Sequence, residues 1–472
     1  MIGWIMQIVM SGNTTINING EVGPLFKPSC GVRQRDPISP ILFNAAVDAL
    51  AKIMEKAKIS GHISGVVGHL IPGGGVTHLQ YADDTMLMVE GSEKDIINMK
   101  FLLLCFEAMS GLKINFDKNE VMVLGYPLDA QQRIADNLNC RLATFPINYL
   151  GMPFRDTRIL SRDLEPLMGR VKAKYEPWQG RFTSKGNKTI LIDACLSSLP
   201  MYIMELYILQ EGVHANFDKK LSRFFWMAND GHQKYHMVKW ADICAPKDLG
   251  GIGIISSRHM NVSLMLRWVW RILTDDDGLW LQLVKAKFLR GRPLLACERR
   301  ERSQFWRSIQ DIKPAIRKGL SISIGNGRCS IFWLDPWVGG RPLRHEVPEL
   351  FTICADPLLL VADAFQDGVW QVAFRRNLGA AKRASWEGLR DSLPRPHPTA
   401  QDTMSWHLAP SGTFSVGSMY RALFGGPSIP WTLPLWKAPL PLKIKIFLWQ
   451  LLRNRLPSGV EVAKRHVPGD GL

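Results

Sequence analysis

The stretch Val76-Thr-His-Leu-Gln-Tyr-Ala-Asp-Asp-Thr-Met-Leu-Met-Val89 decides the fold of the N-terminal part of this chain. Apolar and polar residues alternate before an acidic pair and a short apolar run follows it, which predicts two strands joined by a tight hairpin. Asp83 and Asp84 would lie at its tip. Adjacent carboxylates repel each other unless a cation lies beside them, and Mg²⁺ takes one or two carboxylates together with phosphates. The alternative is an ordinary turn, where Asp is common.

Three further motifs flank this stretch. Upstream lies Gly31-Val-Arg-Gln-Arg-Asp-Pro-Ile-Ser-Pro-Ile-Leu-Phe43, and downstream lie Gly111-Leu-Lys-Ile-Asn-Phe-Asp-Lys118 and Tyr149-Leu-Gly-Met-Pro153. In this order and spacing the motifs resemble the reverse transcriptase of plant non-LTR (LINE-type) retrotransposons, which reads RQGDPLSP, YADD, GLKIN and YLG. One acidic pair is weak evidence, whereas four motifs in order are specific. The resemblance covers nearly the whole chain.

The resemblance implies an α+β fold. A partial right-hand polymerase palm, with a small antiparallel sheet and helices, would be followed by a mostly helical thumb and linker region. The implied regions are fingers and palm at 1–155, a thumb-like region at 156–235, a basic, Trp-rich linker at 236–400, and the start of a zinc-binding region at 401–472. Phe414–Tyr420 and Trp436–Leu452 carry the resemblance to that last region.

Local patterns predict the elements around the acidic pair. Apolar spacing indicates a helix from Pro40 to about Lys56, with Ser39 as its cap. Ser92–Asp95 is typical of a capping box at the start of a second helix, which Gly111 would end before a further strand. Asn19-Gly20 between apolar residues predicts a hairpin.

The resemblance also implies roles for individual residues. Asp83 and Asp84 would be the catalytic carboxylates and the ligands of Mg²⁺ or Mn²⁺. The residues expected to contact the nucleotide or the template are Arg33, Gln34, Asp36, Tyr81 and Lys118. A solvated loop is the alternative for Arg33 and Gln34, and an ordinary surface lysine is the alternative for Lys118.

Two departures from the family pattern point to impaired catalysis. Arg35 stands where the family has Gly, which permits positive φ and close backbone approach, so its long side chain either blocks the nucleotide or points away. Residues 1–35 contain a single acid, Glu21, although the resemblance places a further catalytic carboxylate upstream. The chain is therefore expected to begin inside the polymerase domain. Three hypotheses follow: a damaged polymerase, a non-catalytic nucleic-acid-binding protein, or a decayed copy without a role.

The charge of the chain favours a polyanionic partner. Lys and Arg number 58 against 42 Asp and Glu, which gives a net charge of +16. The densest stretch, 285–318, holds eleven Lys and Arg against three Asp and Glu. An RNA template and an RNA–DNA or DNA duplex are the expected partners, and the predicted backbone contacts are Lys172, Lys174, Arg299 and Arg300. The alternatives are a solvated helix face and salt bridges within 298–302.

The cysteines and the apolar runs indicate the compartment. The eight Cys are scattered singly without any CxxC pair, so reduced thiols in an intracellular compartment, including the nucleus, fit best. No Cys follows Cys354, and after Leu452 only His466 remains as a typical zinc ligand, so no zinc is predicted. No apolar run approaches the roughly 20 residues that span a bilayer, so no membrane is expected as a partner. The oligomeric state stays open.

Overall fold

The computed structural model describes residues 2–27, 36–178, 184–227, 236–274, 277–298 and 301–456. The chain divides into two compact units, Met1–Leu150 and Gly151–Leu472. Both contain helices and small two-stranded sheets, so the mixed α and β composition is confirmed at that level.

The N-terminal unit contains helices and three sheets of two short strands. Its described helices are α1 Ile2–Met10, α2 Ser39–Ile59, α3 Glu93–Ser110 and α4 Leu128–Leu138. Its strands are β1 Asn17–Ile18, β2 Glu21–Val22, β3 His78–Tyr81, β4 Asp84–Leu87, β5 Glu120–Val121, β6 Arg141–Leu142 and β7 Ile147–Tyr149. Strands β1 and β2 pair antiparallel, as do β3 and β4, whereas β5 and β6 pair parallel.

The predicted local signals are largely confirmed. Asn19 and Gly20 have φ of 55° and 96° between β1 and β2, as a tight hairpin requires. The Ser92 hydroxyl accepts the Asp95 N–H (3.1 Å) at the start of α3, and Gly111 ends this helix with φ of 71°. The capping box is only half formed, because one oxygen of the Asp95 carboxylate accepts the Ser64 N–H (2.9 Å).

One local prediction is wrong. Ser39 is the first residue of α2 rather than its cap, and the Asp36 carboxylate instead accepts the Ile38 N–H (3.2 Å) just before the helix. The strand expected after Gly111 is β5, which begins only at Glu120, because 112–115 is irregular. Phe116–Lys118 then forms a 3₁₀ turn, in which the Asn115 side chain accepts the Lys118 N–H (3.2 Å).

The core of the N-terminal unit lies between α2 and α3. It contains Leu50 and Met54 of α2 and Met99, Leu103 and Phe106 of α3. The outer face of α3 carries Ile97, Phe101 and Met109, which are 58%, 64% and 74% exposed. Helix α3 is therefore apolar on both faces although only one is covered within the unit, which leaves apolar area in contact with water.

The C-terminal unit is mostly helical. Its described helices are α5 Glu165–Tyr175, α6 Lys185–Leu191, α7 Met201–Met204, α8 Glu211–Trp226, α9 Trp240–Cys244, α10 Ser257–Leu273, α11 Leu279–Val284, α12 Gln304–Ile312, α13 Leu343–Glu346, α14 Pro348–Phe351, α15 Val361–Ala364, α16 Ala380–Ser392, α17 Val416–Phe424, α18 Thr432–Lys437 and α19 Leu442–Leu452. Its strands are β8 Met152–Phe154, β9 Leu320–Ser323, β10 Phe365–Gln366, β11 Val369–Trp370 and β12 Thr403–Trp406. Strands β9 and β12 pair antiparallel, as do β10 and β11.

Two hydrophobic cores stabilise this unit. The first joins residues such as Leu167, Phe217 and Phe224 with Ile446 and Trp449 of α19. The second surrounds α10, α12 and β9 and contains buried tryptophans, which include Trp306, Trp333 and Trp406. These three tryptophans are fully buried core residues. The first core contains residues from both sides of the predicted region boundaries near residues 235 and 400. The boundaries themselves stay predictions that depend on the resemblance.

Two carboxylates, one buried and one half-buried, hold the loops around β9. Asp335 is fully buried and accepts the Arg317 Nε–H and the Ile331 N–H, both at 2.7 Å. Asp402 accepts the backbone N–H groups of Gly325 and Gly327, both at 2.8 Å. A Cβ at Gly325 would lie 2.4 Å from the Gln401 carbonyl, so this close approach requires glycine.

Candidate active site

The acidic pair lies on the β3–β4 hairpin, as predicted. Tyr81 is paired with Asp84, so the two-residue loop consists of Ala82 and Asp83. Ala82 has φ of 53°, which is uncommon for a residue other than glycine. Asp83 therefore occupies the turn, whereas Asp84 is the first residue of β4, and both are exposed.

Strand alternation assigns Asp84 to the open face of the hairpin. Leu87 packs against the core between α2 and α3, so residues at the alternate positions of β4 point away from it. Asp84 and Met86 share that open face with their paired residues Tyr81 and Leu79. Tyr81 is 65% exposed. A carboxylate and an exposed phenol ring thus lie side by side at the tip of the hairpin.

The hairpin carries two carboxylates of the kind that bind a divalent cation. Two adjacent exposed carboxylates fit one Mg²⁺ or Mn²⁺ whose remaining ligands are waters and nucleotide phosphates. Within the described ranges, no group of three or more His, Cys, Asp or Glu is placed to hold a metal ion. Two metals about 3.5–4 Å apart need more carboxylates than this pair provides.

The other residues expected to contact nucleotide or template are placed unevenly. Arg33 and Gln34, together with Arg35, lie outside the described residues. Asp36 is half-buried and holds the turn before α2 through Ile38. Lys118 is exposed at the end of the 3₁₀ turn. Their roles toward a nucleotide stay predictions.

Helix α5 presents the first predicted backbone-contact surface. Lys172 and Lys174 are both exposed, and Lys172 Nζ lies 3.4 Å from Glu176 Oε1. Arg170 is exposed one turn before Lys174, so these two cations share a face of the helix. A phosphate backbone that lies along α5 would meet this face.

Two lysines of α6, one half-buried and one buried, contact the first core. Lys185 Nζ donates to Gln450 Oε1 (2.9 Å) and lies 4.7 Å from the centre of the Trp226 ring. Lys188 is 5% exposed, and its Nζ lies 5.8 Å from the centre of the Phe224 ring. Both amines therefore contribute to the packing of α6, and that of Lys188 offers little charge to solvent.

The second basic stretch is also divided between surface and interior. Arg299 and Arg300 lie outside the described residues, and residues 301–303 precede α12 without helical structure. Lys313 is buried and donates to the Leu294 carbonyl (3.3 Å) and to Gln310 Oε1 (2.7 Å). Burial lowers the pKa of Lys313. The exposed cations of the stretch are Lys285, Lys287, Arg290, Arg292, Arg302, Arg307 and Lys318.

Comparison with known families identifies the two ends of the chain. Residues 2–154 match the family model of the reverse transcriptase (RNA-dependent DNA polymerase). Residues 414–471 match the model described as zinc-binding in reverse transcriptase. The N-terminal part of the chain is therefore a reverse transcriptase domain, and the hairpin with Asp83 and Asp84 lies within it.

Two of the relatives come from a plant and from a retrotransposable element of an insect. A putative ribonuclease H protein of Arabidopsis thaliana is 27% identical over 335 residues, which cover 68% of this chain and 53% of the relative. The Pol polyprotein of the type-2 retrotransposable element R2DM of Drosophila melanogaster is 27% identical over 404 residues, 78% of this chain and 33% of that protein. The resemblance to non-LTR reverse transcriptases is thus confirmed. This chain spans about half the length of the Arabidopsis relative and a third of the Drosophila one.

The prediction of a chain without zinc is wrong, because residues 414–471 match a zinc-binding family model. The prediction relied on counting Cys and His residues. The match to the zinc-binding model begins instead in a segment of apolar helices, α17 to α19. Residues 414–456 hold no Cys, His, Asp or Glu and so do not themselves fit a zinc ion. They pack instead through Leu435 of α18 and Ile446 and Trp449 of α19. His466 lies outside the described residues.

Within the part of the chain that the structure describes, none of the helices combines the length and the apolarity that crossing a bilayer requires.

Proposed function

We propose that this chain binds an RNA template and an RNA–DNA or DNA duplex as a reverse-transcriptase protein whose own polymerase activity is weak or absent. One observation carries the proposal: the reverse transcriptase domain displays Asp83 and Asp84 on an exposed hairpin without a third carboxylate beside them among the described residues. Nucleic-acid binding would then depend on the exposed cations. Polymerisation would be limited because two carboxylates are too few to hold both metal ions.

The hairpin residues have distinct proposed roles. Asp83 and Asp84 would hold Mg²⁺ or Mn²⁺, which supplies charge neutralisation for a triphosphate when bound. The Tyr81 ring beside Asp84 would pack against the sugar or base at the primer end, because an exposed aromatic face stacks on any base. Lys118 would add positive charge near a phosphate.

The thumb-like and linker regions would hold the nucleic-acid backbone. Their exposed cations lie along α5 and within residues 285–318. Contacts of this kind neutralise phosphates and release counterions, so they give affinity without sequence preference. A non-catalytic nucleic-acid-binding role is the second candidate, and it uses the same cations.

Replacing Lys172, Lys174, Arg299 and Arg300 together by Gln is expected to flatten the salt dependence of RNA–DNA duplex binding. Each lost phosphate contact lowers the log–log slope by about one, so the slope should fall by up to about four. Gel-shift titration at several salt concentrations measures it. A variant with Gln at Arg375, Arg376, Lys382 and Arg383 removes the same charge elsewhere and should retain more of the slope.

Three outcomes separate the hypotheses. Equal slopes in the two variants would place the contact surface outside these four positions. Absence of duplex binding by the unaltered chain would favour a decayed copy without a role. Binding without primer extension would support the proposal.

A further inference from the structure

Helix α19 carries apolar side chains on two faces. Ile446 and Trp449 are buried in the first core. On the side that faces away from this core, Ile444, Phe447 and Leu451 are 38%, 51% and 44% exposed. Their spacing of three and four residues places them along one line of the helix, which we call the α19 stripe. A line of exposed apolar side chains on a surface helix marks a site of interaction.

Close packing on the core side holds the α19 stripe in place. Helix α6 approaches so closely that a Cβ at Gly186 would lie 2.9 Å from the backbone nitrogen of Lys443. The Trp449 indole N–H donates to the Gly250 carbonyl (2.8 Å) from the buried face of α19. A partner would therefore meet a preformed surface, and little entropy would be lost in ordering this helix on binding.

The surroundings of the α19 stripe are positively charged. Residues 403–456 contain six Lys and Arg and no Asp or Glu. Two of the six cations pair with carboxylates of other segments, Arg421 with Asp248 and Arg453 with Asp242. Lys437 at the end of α18 and Lys443, four residues before Phe447, are exposed and have no acidic partner among the described residues. The α19 stripe is thus bordered by cations that an acidic partner can neutralise.

A helical polypeptide fits this surface better than nucleic acid or lipid. Aliphatic side chains such as Ile444 and Leu451 neither stack on bases nor neutralise phosphates, so they add nothing to duplex binding. The α19 stripe is narrow and its side chains are about half exposed, whereas a membrane-surface helix inserts a whole apolar face into the lipid. Anchors at positions i, i+3 and i+7 are typical of a helix that lies along an apolar surface.

We propose that the α19 stripe docks an acidic amphipathic helix of a partner polypeptide. The apolar side chains of the partner pack on Ile444, Phe447 and Leu451, and its carboxylates pair with Lys437 and Lys443. Burial of the apolar anchors supplies affinity, and the flanking charges favour an acidic partner over a basic one. This interaction goes beyond the proposed polymerase function and does not depend on it. The site lies within the residues that match the zinc-binding model but requires no zinc.

The test uses the full chain, freed of nucleic acid, and a fluorescein-labelled helical peptide in fluorescence anisotropy. The peptide carries leucines at the spacing of the α19 stripe and glutamates on either side of them. We expect saturable binding with a Kd in the micromolar range, as is usual for a small interface. The same peptide with lysines in place of the glutamates should bind at least about tenfold more weakly.

Substitutions in the α19 stripe locate the binding. Ile444→Ser with Phe447→Ser should weaken binding of the acidic peptide at least about tenfold, because two central anchors are lost. The matched control is Leu279→Ser with Val369→Ser, which removes two apolar side chains of similar exposure (46% and 51%) from the same unit and should leave affinity unchanged. Equal urea midpoints confirm that each variant folds. The milder Ile444→Thr takes the place of the double variant if that variant does not fold.

Charge substitutions test the choice of an acidic partner. Lys437→Gln with Lys443→Gln should weaken peptide binding about three- to tenfold, as expected for two exposed ion pairs. Lys219→Gln with Arg223→Gln removes two exposed cations of α8 and should have no effect. The proposal is overturned if the acidic peptide does not bind, if the lysine peptide binds as tightly, or if stripe and control variants lose affinity equally.

Lipid and duplex are tested as competing occupants. Vesicles that contain phosphatidylserine and an RNA–DNA duplex should each bind the variant Ile444→Ser with Phe447→Ser as well as they bind the unaltered chain. A loss of vesicle or duplex binding in that variant, as large as the loss of peptide binding, would identify that ligand as the occupant and overturn the proposal.

Discussion

Primer extension by this chain in Mg²⁺ is expected to run at least about 10³-fold slower than extension by a reverse transcriptase with a complete set of metal-binding carboxylates. Asp83 and Asp84 provide two exposed carboxylates at one hairpin, and no group of three or more ligand side chains forms among the described residues. An ion held by this pair lacks protein ligands on its other side, so the attacking hydroxyl and the triphosphate are poorly oriented.

The measurement is extension of a labelled DNA primer on an RNA template by the chain as printed, beside Asp83→Asn with Asp84→Asn. Both proteins should give the same background signal, in Mg²⁺ and in Mn²⁺. Retained duplex binding by both would show that the folded surfaces are intact. Extension by the unaltered chain that disappears in the double variant would instead show a working polymerase, with catalytic acids that the described geometry does not bring together.

Replacing Asp335 by Ala is expected to lower the free energy of unfolding of the C-terminal unit by about 3–5 kcal/mol. The Asp335 side chain is fully buried, and the Arg317 side chain is 13% exposed. Burial raises the pKa of Asp335, and the Arg317 guanidinium beside it opposes that shift. Removal of the carboxylate leaves a nearly buried cation without its partner and the Ile331 N–H without its acceptor.

Urea denaturation followed by tryptophan fluorescence measures this loss, since most of the tryptophans lie in the C-terminal unit. The matched control is Asp391→Ala, which breaks the exposed Arg390–Asp391 pair and should cost no more than about 1 kcal/mol. Asp335→Leu combined with Arg317→Leu should recover much of the stability, because it removes both buried charges. Equal losses in Asp335→Ala and Asp391→Ala would mean that the buried pair contributes little.

Local signals predicted much of the N-terminal unit. The alternation around Tyr81, the Asn19-Gly20 turn and the Ser92 cap each depend on a few neighbouring residues, and all three appear where expected. The same reasoning failed at Ser39, because Asp36 competes for the same turn from three residues upstream. Short polar side chains near a helix start are interchangeable as acceptors, so the sequence pattern alone does not choose between them.

Long-range packing was beyond the sequence patterns. Charge alone does not separate surface lysines from buried ones: Lys188 is buried beside the Phe224 ring, and half-buried Lys185 donates to Gln450. The candidate site shows the same limit: the hairpin that carries Asp83 and Asp84 was predictable, whereas its open face follows from the packing of Leu87 on the core.

The pairing of β9 with β12 also bears on how the C-terminal unit assembles. Ser323 pairs with Thr403, so residues 324–402, which contribute Trp333 to the second core, form an excursion that begins and ends at this strand pair. Closing such an excursion costs entropy that rises only slowly with its length, about 0.6 kcal/mol for each doubling. Formation of the β9–β12 pair is expected to slow folding, since the two strands must meet across a long intervening chain. Exposed turns within 324–402 can therefore accept insertions or be exchanged between relatives while the strand pair that closes them is retained.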